Sequence, residues 1–134
     1  MDKKDMGELL NKFNQIMPKL KKEKFEMIIA INRGGVIPAG IINQSLNLPL
    51  NIININFRDD NNKPRYNEPK LLNEFKINTE NKKILIVDDV CRSGKTLKFA
   101  KKPIGKNVKT FVINGKADFN LYDGECFIMP WMIK

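Results

Sequence analysis

The stretch ILIVDDVCRSGKTL, residues 84–97, holds the clearest structural signal in the chain. Its apolar start predicts a buried strand over residues 83–87, and two adjacent carboxylates, Asp88 and Asp89, follow that strand directly. A short polar loop then leads into a predicted helix over residues 94–101. Strand, polar loop and helix in this order are typical of proteins in which strands and helices alternate around a parallel sheet.

The same alternation extends to both sides of this segment. Apolar residues at helical spacing predict a first helix from Leu9 to Leu20, which Pro18 is expected to shorten. The other predicted elements are strands over 25–31, 50–57, 108–113 and 126–129 and a helix over 36–46. No repeat or linker divides the sequence, so we expect a single α/β domain over residues 1–134, with a mostly parallel sheet flanked by helices.

One long segment does not fit a helix or a strand. Residues 58–70, RDDNNKPRYNEPK, contain two prolines and almost no apolar side chains. Long loops inside a compact domain are usually functional or disordered. We therefore expect a mobile loop here.

Composition narrows the chemistry that the chain can perform. The 134 residues include 24 Lys and Arg, 15 Asp and Glu and no His, for a formal net charge of +9. The absence of histidine excludes Ser-His-Asp and Cys-His catalysis and histidine-ligated metal sites. The positive charge favours anionic partners. The lysines are scattered, without a basic stripe interleaved with aromatic residues, so we do not expect nucleic acid to be the partner.

Arginine placement says more than the total charge. Only four basic residues are arginines, and they lie after predicted strands or in the long loop: Arg33, Arg58, Arg65 and Arg92. The rigid guanidinium fork suits phosphate groups, so this placement predicts a phosphorylated ligand near the carboxyl ends of the strands.

Cysteine usage and hydropathy indicate the cellular compartment of the protein. Cys91 and Cys126 form neither a CxxC motif nor a disulfide-rich pattern, which favours a reduced, cytoplasmic protein. The N-terminus lacks the apolar core of a secretory signal. No apolar run approaches the ~20 residues that a helix needs to cross a bilayer. We therefore expect a soluble protein that does not act on a membrane.

The loop after the acidic pair predicts an anion site. Backbone N–H groups of residues 92–96, together with the positive end of the following helix, favour a phosphate, whereas Asp88 and Asp89 favour hydroxyls or a cation. A sugar phosphate satisfies both requirements. The SGKT sequence is not the end of a Walker A loop, because Asp89 stands where that loop needs glycine. The remaining alternative is that the two aspartates only cap the helix.

Three segments together carry a resemblance to a known family. VDDVCRSGKT, residues 87–96, resembles the 5-phosphoribosyl 1-pyrophosphate (PRPP) motif of type I phosphoribosyltransferases. IIAINRGGVIPAGIINQSLNLPL, residues 28–50, is similar to the family's strand, pyrophosphate loop and helix. Residues 111–131 resemble the C-terminal stretch of its short bacterial xanthine-guanine and hypoxanthine type. The likeness covers roughly residues 25–131.

This resemblance implies a Mg²⁺-dependent transferase of purine salvage. Such an enzyme moves the 5-phosphoribosyl group from PRPP to a nucleobase and releases pyrophosphate. The base is expected to be a 6-oxopurine, that is guanine, xanthine or hypoxanthine, and the protein a homo-oligomer, either a dimer or a tetramer.

The resemblance also assigns residues. It makes Asp88, Asp89 and Arg92 the catalytic positions, with the two aspartates holding Mg²⁺ through PRPP and water. The residues that it assigns to PRPP binding are Arg33, Gly34, Asp88, Asp89, Val90, Cys91, Arg92, Ser93, Gly94, Lys95 and Thr96.

Two further groups follow from the same likeness. A flexible loop over 58–75 is expected to bring Arg58 or Arg65 over the leaving pyrophosphate. A small C-terminal hood over 114–134 is expected to contact the nucleobase, and its contact residues are Lys116, Phe127, Ile128 and Trp131.

Arg92 departs from the family pattern. The 6-oxopurine members usually carry an aspartate here, which accepts a proton at the purine N7, and a guanidinium cannot accept one. Met132 likewise replaces the acidic residue that usually follows Pro-Trp. Three alternatives stay open: another group or water takes the proton, the base is a different one, or the chain has lost efficient catalysis and is a regulator that binds PRPP or a nucleotide without reaction. An alternative role for Arg92 is a charge-assisted contact to phosphate or to an acidic base such as xanthine or orotate.

Overall fold

Three helices and six strands make up the described part of the chain. The structure, a computed structural model, describes residues 1–56, 69–72 and 75–133. The elements in chain order are α1 (Met6–Lys22), β1 (Met27–Asn32), α2 (Val36–Leu46), β2 (Leu50–Asn56), β3 (Lys70–Leu71), β4 (Ile84–Val90), α3 (Lys95–Ile104), β5 (Val108–Asn114) and β6 (Phe119–Tyr122).

The strands form one sheet in the order β3-β2-β1-β4-β5-β6. Every neighbouring pair is parallel except β2 and β3, which are antiparallel. The chain builds outward from β1 to β2 and then returns to place β4 on the other side of β1. Strand order therefore reverses between β1 and β4, and in open α/β sheets ligands bind at the carboxyl ends of the strands beside such a reversal.

The central strands are buried on both faces, which explains their unbroken apolar sequences. Residues 28–30 of β1 and residues 84–87 of β4 are fully buried. The alternating side chains of these strands feed two cores, one on each side of the sheet. Helices α1 and α2 cover one face and α3 covers the other.

Helix α1 shows how sequence fixes one of these layers. Its buried side chains recur every three or four residues: Leu9, Phe13, Met17 and Leu20. The Asp5 carboxylate accepts the Glu8 N–H and caps the helix. Pro18 lies inside the helix and does not shorten it, contrary to our expectation. The buried stripe continues past Pro18, which is itself exposed, so water is available to the carbonyl group that loses its helical partner.

The termini of the described chain contact each other. Lys3 and Ile128 form an isolated parallel bridge, in which the Lys4 N–H donates to the Ile128 carbonyl and the Ile128 N–H to the Asp2 carbonyl. The predicted strand over 126–129 is therefore wrong, since this single bridge is all the pairing described there. The actual edge strand, β6, was not predicted, because its four residues are all only partly buried and mix polar with apolar side chains.

The predicted fold class is confirmed: a single α/β domain with a mostly parallel sheet flanked by helices. Lys70 and Leu71, which the sequence placed in the long loop, pair with β2 as the edge strand β3. Residues 57–68 lie outside the described part of the chain. Within the described residues, no helix is long and apolar enough to span a membrane.

Candidate functional site

The candidate site lies at the carboxyl ends of β1, β4, β5 and β6. Because these strands are parallel, the segments that follow them meet at one edge of the sheet. Residues 33–35 follow β1, residues 91–94 join β4 to α3, and residues 115–116 follow β5. We refer to residues 91–94 as the β4–α3 loop.

Asp88 and Asp89 are among the last three residues of β4 and do not follow the strand. Asp88 is buried, with 8% of its surface exposed, and Asp89 is partly buried. The Asp88 carboxylate accepts the Asp89 N–H at 2.8 Å, and the Asp89 carboxylate accepts the Val90 N–H at 2.8 Å. These bonds fix both side chains against the strand and do not cap α3, so the capping alternative is wrong.

The loop after β1 contacts the acidic pair directly. A Cβ atom at Gly34 would lie 2.3 Å from Asp89 Oδ1, a separation that no real side chain adopts. At Gly35 a Cβ atom would lie 2.0 Å from the Val87 carbonyl oxygen. Both glycines are therefore required for this close approach of backbone to β4. The structure thus brings the predicted Arg33-Gly34 segment next to Asp89, with Arg33 exposed and its peptide bond to Asn32 in the cis form.

The β4–α3 loop is the segment that the sequence predicts to bind an anion. Gly94 adopts a left-handed conformation with φ of +80° and ends the loop, and α3 begins at Lys95. The Lys95 N–H donates to Ser93 Oγ at 3.3 Å. A small depression opens here, and its lining residues are Asp88, Val90, Cys91, Arg92, Ser93, Gly94, Thr96 and Leu97. Seven of these eight belong to the set expected to bind PRPP, so the structure brings most of that set together.

A second glycine contact joins the end of β5 to this loop. Gly115 has φ of +133°, and a Cβ atom there would lie 2.5 Å from the Cys91 carbonyl oxygen. The Cys91 N–H donates to the Asn114 carbonyl at 3.0 Å. Lys116 therefore begins beside the β4–α3 loop, and its side chain is 89% exposed, with Nζ 3.7 Å from Asp123 Oδ2.

The other three expected nucleobase contacts have a different environment. Phe127 and Trp131 are partly buried against the core under α1 and α2. The Phe127 ring meets the Tyr122 ring edge-on at 5.1 Å, and Lys4 Nζ lies 5.0 Å from its centroid. Ile128 is 37% exposed. Phe127 and Trp131 thus pack against the core on the side of the sheet that α1 and α2 cover.

Tyr122 anchors this C-terminal region to α1. Its hydroxyl donates to the Glu8 carboxylate. Burial and the hydrogen bond to Glu8 raise the pKa of Tyr122 to about 12. The same hydrogen bond, with Lys4 nearby, lowers the pKa of Glu8.

Arg92 is exposed in the β4–α3 loop, at the rim of the depression. Arg58 and Arg65, expected to act from the long loop, lie outside the described residues. Sequence reasoning missed Asn114 and Asp123, which the structure places beside Lys116. Two signals were available in the sequence. Asn114 is a polar residue at the end of an apolar strand and is followed by glycine, and Asp123 begins an Asp-Gly turn after β6.

The described residues suit Mg²⁺ only if the substrate supplies some of the ligands. Among the described residues, no group of three or more His, Cys, Asp or Glu side chains could hold a metal ion. Mg²⁺ is commonly bound by one or two carboxylates together with substrate phosphates and water, and Asp88 and Asp89 can supply that pair.

Comparisons with known proteins agree with the motifs. A family model described as "phosphoribosyl transferase domain" matches residues 4–112. The xanthine-guanine phosphoribosyltransferase of Idiomarina loihiensis is 27% identical over 88 residues, which are 65% of this chain and 53% of that protein. The chain thus spans about half the length of this curated relative.

Solved structures extend the likeness to the whole fold. The purine phosphoribosyltransferase from Pyrococcus horikoshii superposes with a TM-score of 0.82 at 27% identity, over 100% of this chain and 97% of that one. The xanthine-guanine-hypoxanthine phosphoribosyltransferase of Helicobacter pylori gives a TM-score of 0.76 at 22% identity, over 97% and 92% of the two chains. The second of these likenesses concerns the fold alone.

Proposed function

Because the chain belongs to the phosphoribosyl transferase domain family, we propose that it transfers the 5-phosphoribosyl group of PRPP to a nucleobase and releases pyrophosphate. The observation that carries the proposal is the contact of Gly34 with Asp89 beside the β4–α3 loop. This contact supports the proposal because it brings the segment proposed for pyrophosphate next to the two carboxylates and near the loop proposed for the 5′-phosphate, beside the reversal of strand order.

Each part of PRPP has a matching group at this edge. The 5′-phosphate fits the backbone N–H groups of the β4–α3 loop and the hydroxyls of Ser93 and Thr96. The ribose hydroxyls fit the carboxylates of Asp88 and Asp89, which accept hydrogen bonds. The pyrophosphate fits the guanidinium of Arg33 and the backbone at Gly34. A role for Arg58 or Arg65 over the leaving group stays a prediction.

Catalysis on such a scaffold consists mainly of positioning. The transition state expected from the resemblance resembles an oxocarbenium ion, so fixed donors at the leaving pyrophosphate lower the barrier as negative charge develops there. Mg²⁺, when bound with PRPP, would further neutralise that charge. Asp88 and Asp89 would orient the ribose, since hydrogen bonds donated by Asp89 N–H and Val90 N–H hold their carboxylates in place.

The nucleobase that we propose is a 6-oxopurine. The support comes from relatives whose names specify purine or xanthine-guanine substrates, both at 27% identity. Lys116, which follows Gly115 beside Cys91, is the group that we propose for the 6-oxo oxygen. We also propose a homo-oligomer and a cytoplasmic location. The pattern of Cys91 and Cys126, neither a CxxC motif nor a disulfide-rich one, supports that location, since disulfides are rare in the reducing cytosol.

A test of the binding site replaces both carboxylates. We expect Asp88→Asn with Asp89→Asn to abolish measurable PRPP binding, because the ribose hydroxyls and the cation lose their charged partners. Isothermal titration with PRPP and Mg²⁺ measures the affinity. Asp2→Asn with Glu80→Gln, which removes two exposed carboxylates elsewhere, is the matched control. Tight binding by the Asp88/Asp89 variant would refute the assignment of the motif.

A second candidate is a regulator that binds PRPP or a nucleotide without reaction. The observation in its favour is Arg92, which stands at the rim of the depression and cannot accept a proton. Pyrophosphate release from PRPP and Mg²⁺ is measured with guanine, hypoxanthine, xanthine, adenine, uracil and orotate. Turnover of a 6-oxopurine supports the enzyme. Measurable PRPP binding without turnover of any of the six bases supports the regulator.

A further inference from the structure

Lys116 and Asp123 form an ion pair beside the β4–α3 loop. Lys116 follows β5, Asp123 follows β6 directly, and the two strands are parallel, so both side chains start at the same edge of the sheet. Lys116 Nζ lies 3.7 Å from Asp123 Oδ2. This separation exceeds a hydrogen bond and the Asp123 side chain is 50% exposed, so the pair is open to an incoming ligand.

Asn114 fixes the position of this pair. Only 3% of its surface is exposed, and its side chain makes three hydrogen bonds to the turn after β6. It accepts the Gly124 N–H at 3.0 Å and donates to the carbonyls of Gly124 and Glu125 at 3.4 and 2.9 Å. Its own carbonyl accepts the Cys91 N–H. One buried residue thus ties the turn that carries Asp123 to the β4–α3 loop.

The reaction requires a proton acceptor near the nucleobase. A nucleobase that gains a ribose on nitrogen loses an N–H proton, and neither a guanidinium such as Arg92 nor an ammonium such as Lys116 offers an acceptor. The chain has no histidine. With Asp88 and Asp89 assigned to the ribose, Asp123 is the carboxylate that the structure pairs with Lys116.

The chemistry of a 6-oxopurine matches this pair. O6 and N7 lie side by side on one edge of the ring. In the free base with its proton on N7, that edge presents an acceptor next to a donor. A lysine ammonium next to a carboxylate presents the complementary donor and acceptor.

We propose that Asp123 is the catalytic base of the reaction and that it takes the N7 proton while Lys116 holds O6. The N9 lone pair forms the bond to C1 of the ribose, and the C1–O bond breaks with its electron pair leaving on pyrophosphate. The N7–H proton passes to the Asp123 carboxylate, and the electron pair of that N–H bond returns to the imidazole ring. The inference rests on the proposed function.

The test compares Asp123→Asn with Glu125→Gln, which neutralises a neighbouring exposed carboxylate on the same turn. Steady-state kinetics with hypoxanthine and guanine are measured from acid to alkaline pH. We expect Asp123→Asn to lower kcat by roughly 10²-fold or more, the usual contribution of a general base, with an unchanged KM for PRPP. The acid limb of the kcat profile, which reports protonation of the base, should disappear in this variant. Glu125→Gln should keep the wild-type kcat and its acid limb.

Asp123→Glu keeps a carboxylate and should retain the acid limb at a reduced kcat. Wild-type kcat and an unchanged pH profile in Asp123→Asn would overturn the assignment of Asp123 while leaving the transferase function in place. A wild-type protein that turns over no nucleobase would instead overturn the proposed function, and this inference with it.

Discussion

At the scale of single residues, the site depends on places where a side chain is missing. Gly34 and Gly115 allow two loops to touch β4 and the β4–α3 loop, and neither contact is visible in a pattern of hydrophobicity. The family resemblance predicted that Arg33-Gly34 and Asp88-Asp89 share a site, since it assigns both segments to PRPP binding. It did not predict Asn114, because a buried asparagine at a strand end has the same sequence signature as an exposed one.

Gly34→Ala tests the contact with Asp89. The added methyl group would lie 2.3 Å from Asp89 Oδ1, so the carboxylate must move away from its bond to Val90 N–H. We expect PRPP affinity to fall at least tenfold, a change of about 1.4 kcal/mol in binding free energy. Isothermal titration measures this affinity, and thermal unfolding checks that the fold is kept.

Gly40→Ala is the matched control for this change. Gly40 lies within α2, and a Cβ atom there meets no atom within 4 Å. Alanine in a helix is more stable than glycine by roughly 0.5–1 kcal/mol, so this variant should unfold at a slightly higher temperature with unchanged PRPP affinity. Equal affinities of the two variants would contradict the role given to Gly34.

At the scale of elements, the strands with the most continuous apolar sequences were the ones predicted best. Strand β4 was placed correctly by its apolar run, but it continues three residues further, to Val90. The aspartates therefore stand inside the strand, because parallel pairing with β5 extends to Val90 and Asn114. Edge strands were predicted worst: β3 has two residues and β6 is only partly buried, so neither carries a strong pattern.

Strand β6 is held to helix α1 by the hydrogen bond from Tyr122 to Glu8, which makes stability depend on pH. The pKa of Tyr122 is raised from its ordinary value of 10.0 to about 12. A group whose pKa is raised on folding contributes stability below its unfolded pKa and loses that contribution as pH rises through its folded pKa. Because the same bond lowers the pKa of Glu8 from its ordinary value of 4.5, its stabilisation should be complete from about pH 4.5 to about pH 10 and lost by about pH 12.

Tyr122→Phe removes the hydroxyl and keeps the ring that packs against Phe127. We expect a lower unfolding temperature than wild type at pH 8 and a difference that shrinks as the pH rises above 10. Thermal unfolding followed by circular dichroism across this range measures it. A difference that is constant from pH 8 to pH 12 would show that the hydroxyl contributes through something other than this titration.

At the scale of the whole molecule, the fold class and the family were both predictable, because three motifs lie in the right order on alternating strands and helices. The match of the family model over residues 4–112 confirms that membership. The catalytic base that we propose, Asp123, was less predictable. Lys116 and Asp123 come together through the pairing of β5 with β6, and β6 was not recognised in the sequence.

The net charge of +9 gives a prediction that belongs to the molecule rather than to one residue. PRPP is a polyanion and a purine is uncharged, so the field of the protein should attract PRPP and leave the base unaffected. The Debye length falls from about 10 Å at 0.1 M salt to about 3 Å at 1 M, which screens this attraction.

We therefore expect KM for PRPP to rise with ionic strength at fixed Mg²⁺, while KM for hypoxanthine changes little. Initial rates between 0.05 and 0.5 M potassium chloride measure both, at about the ionic strengths where screening becomes strong. An equal rise in the two constants would show that salt acts on the fold or the shared site rather than on the attraction of the charged substrate.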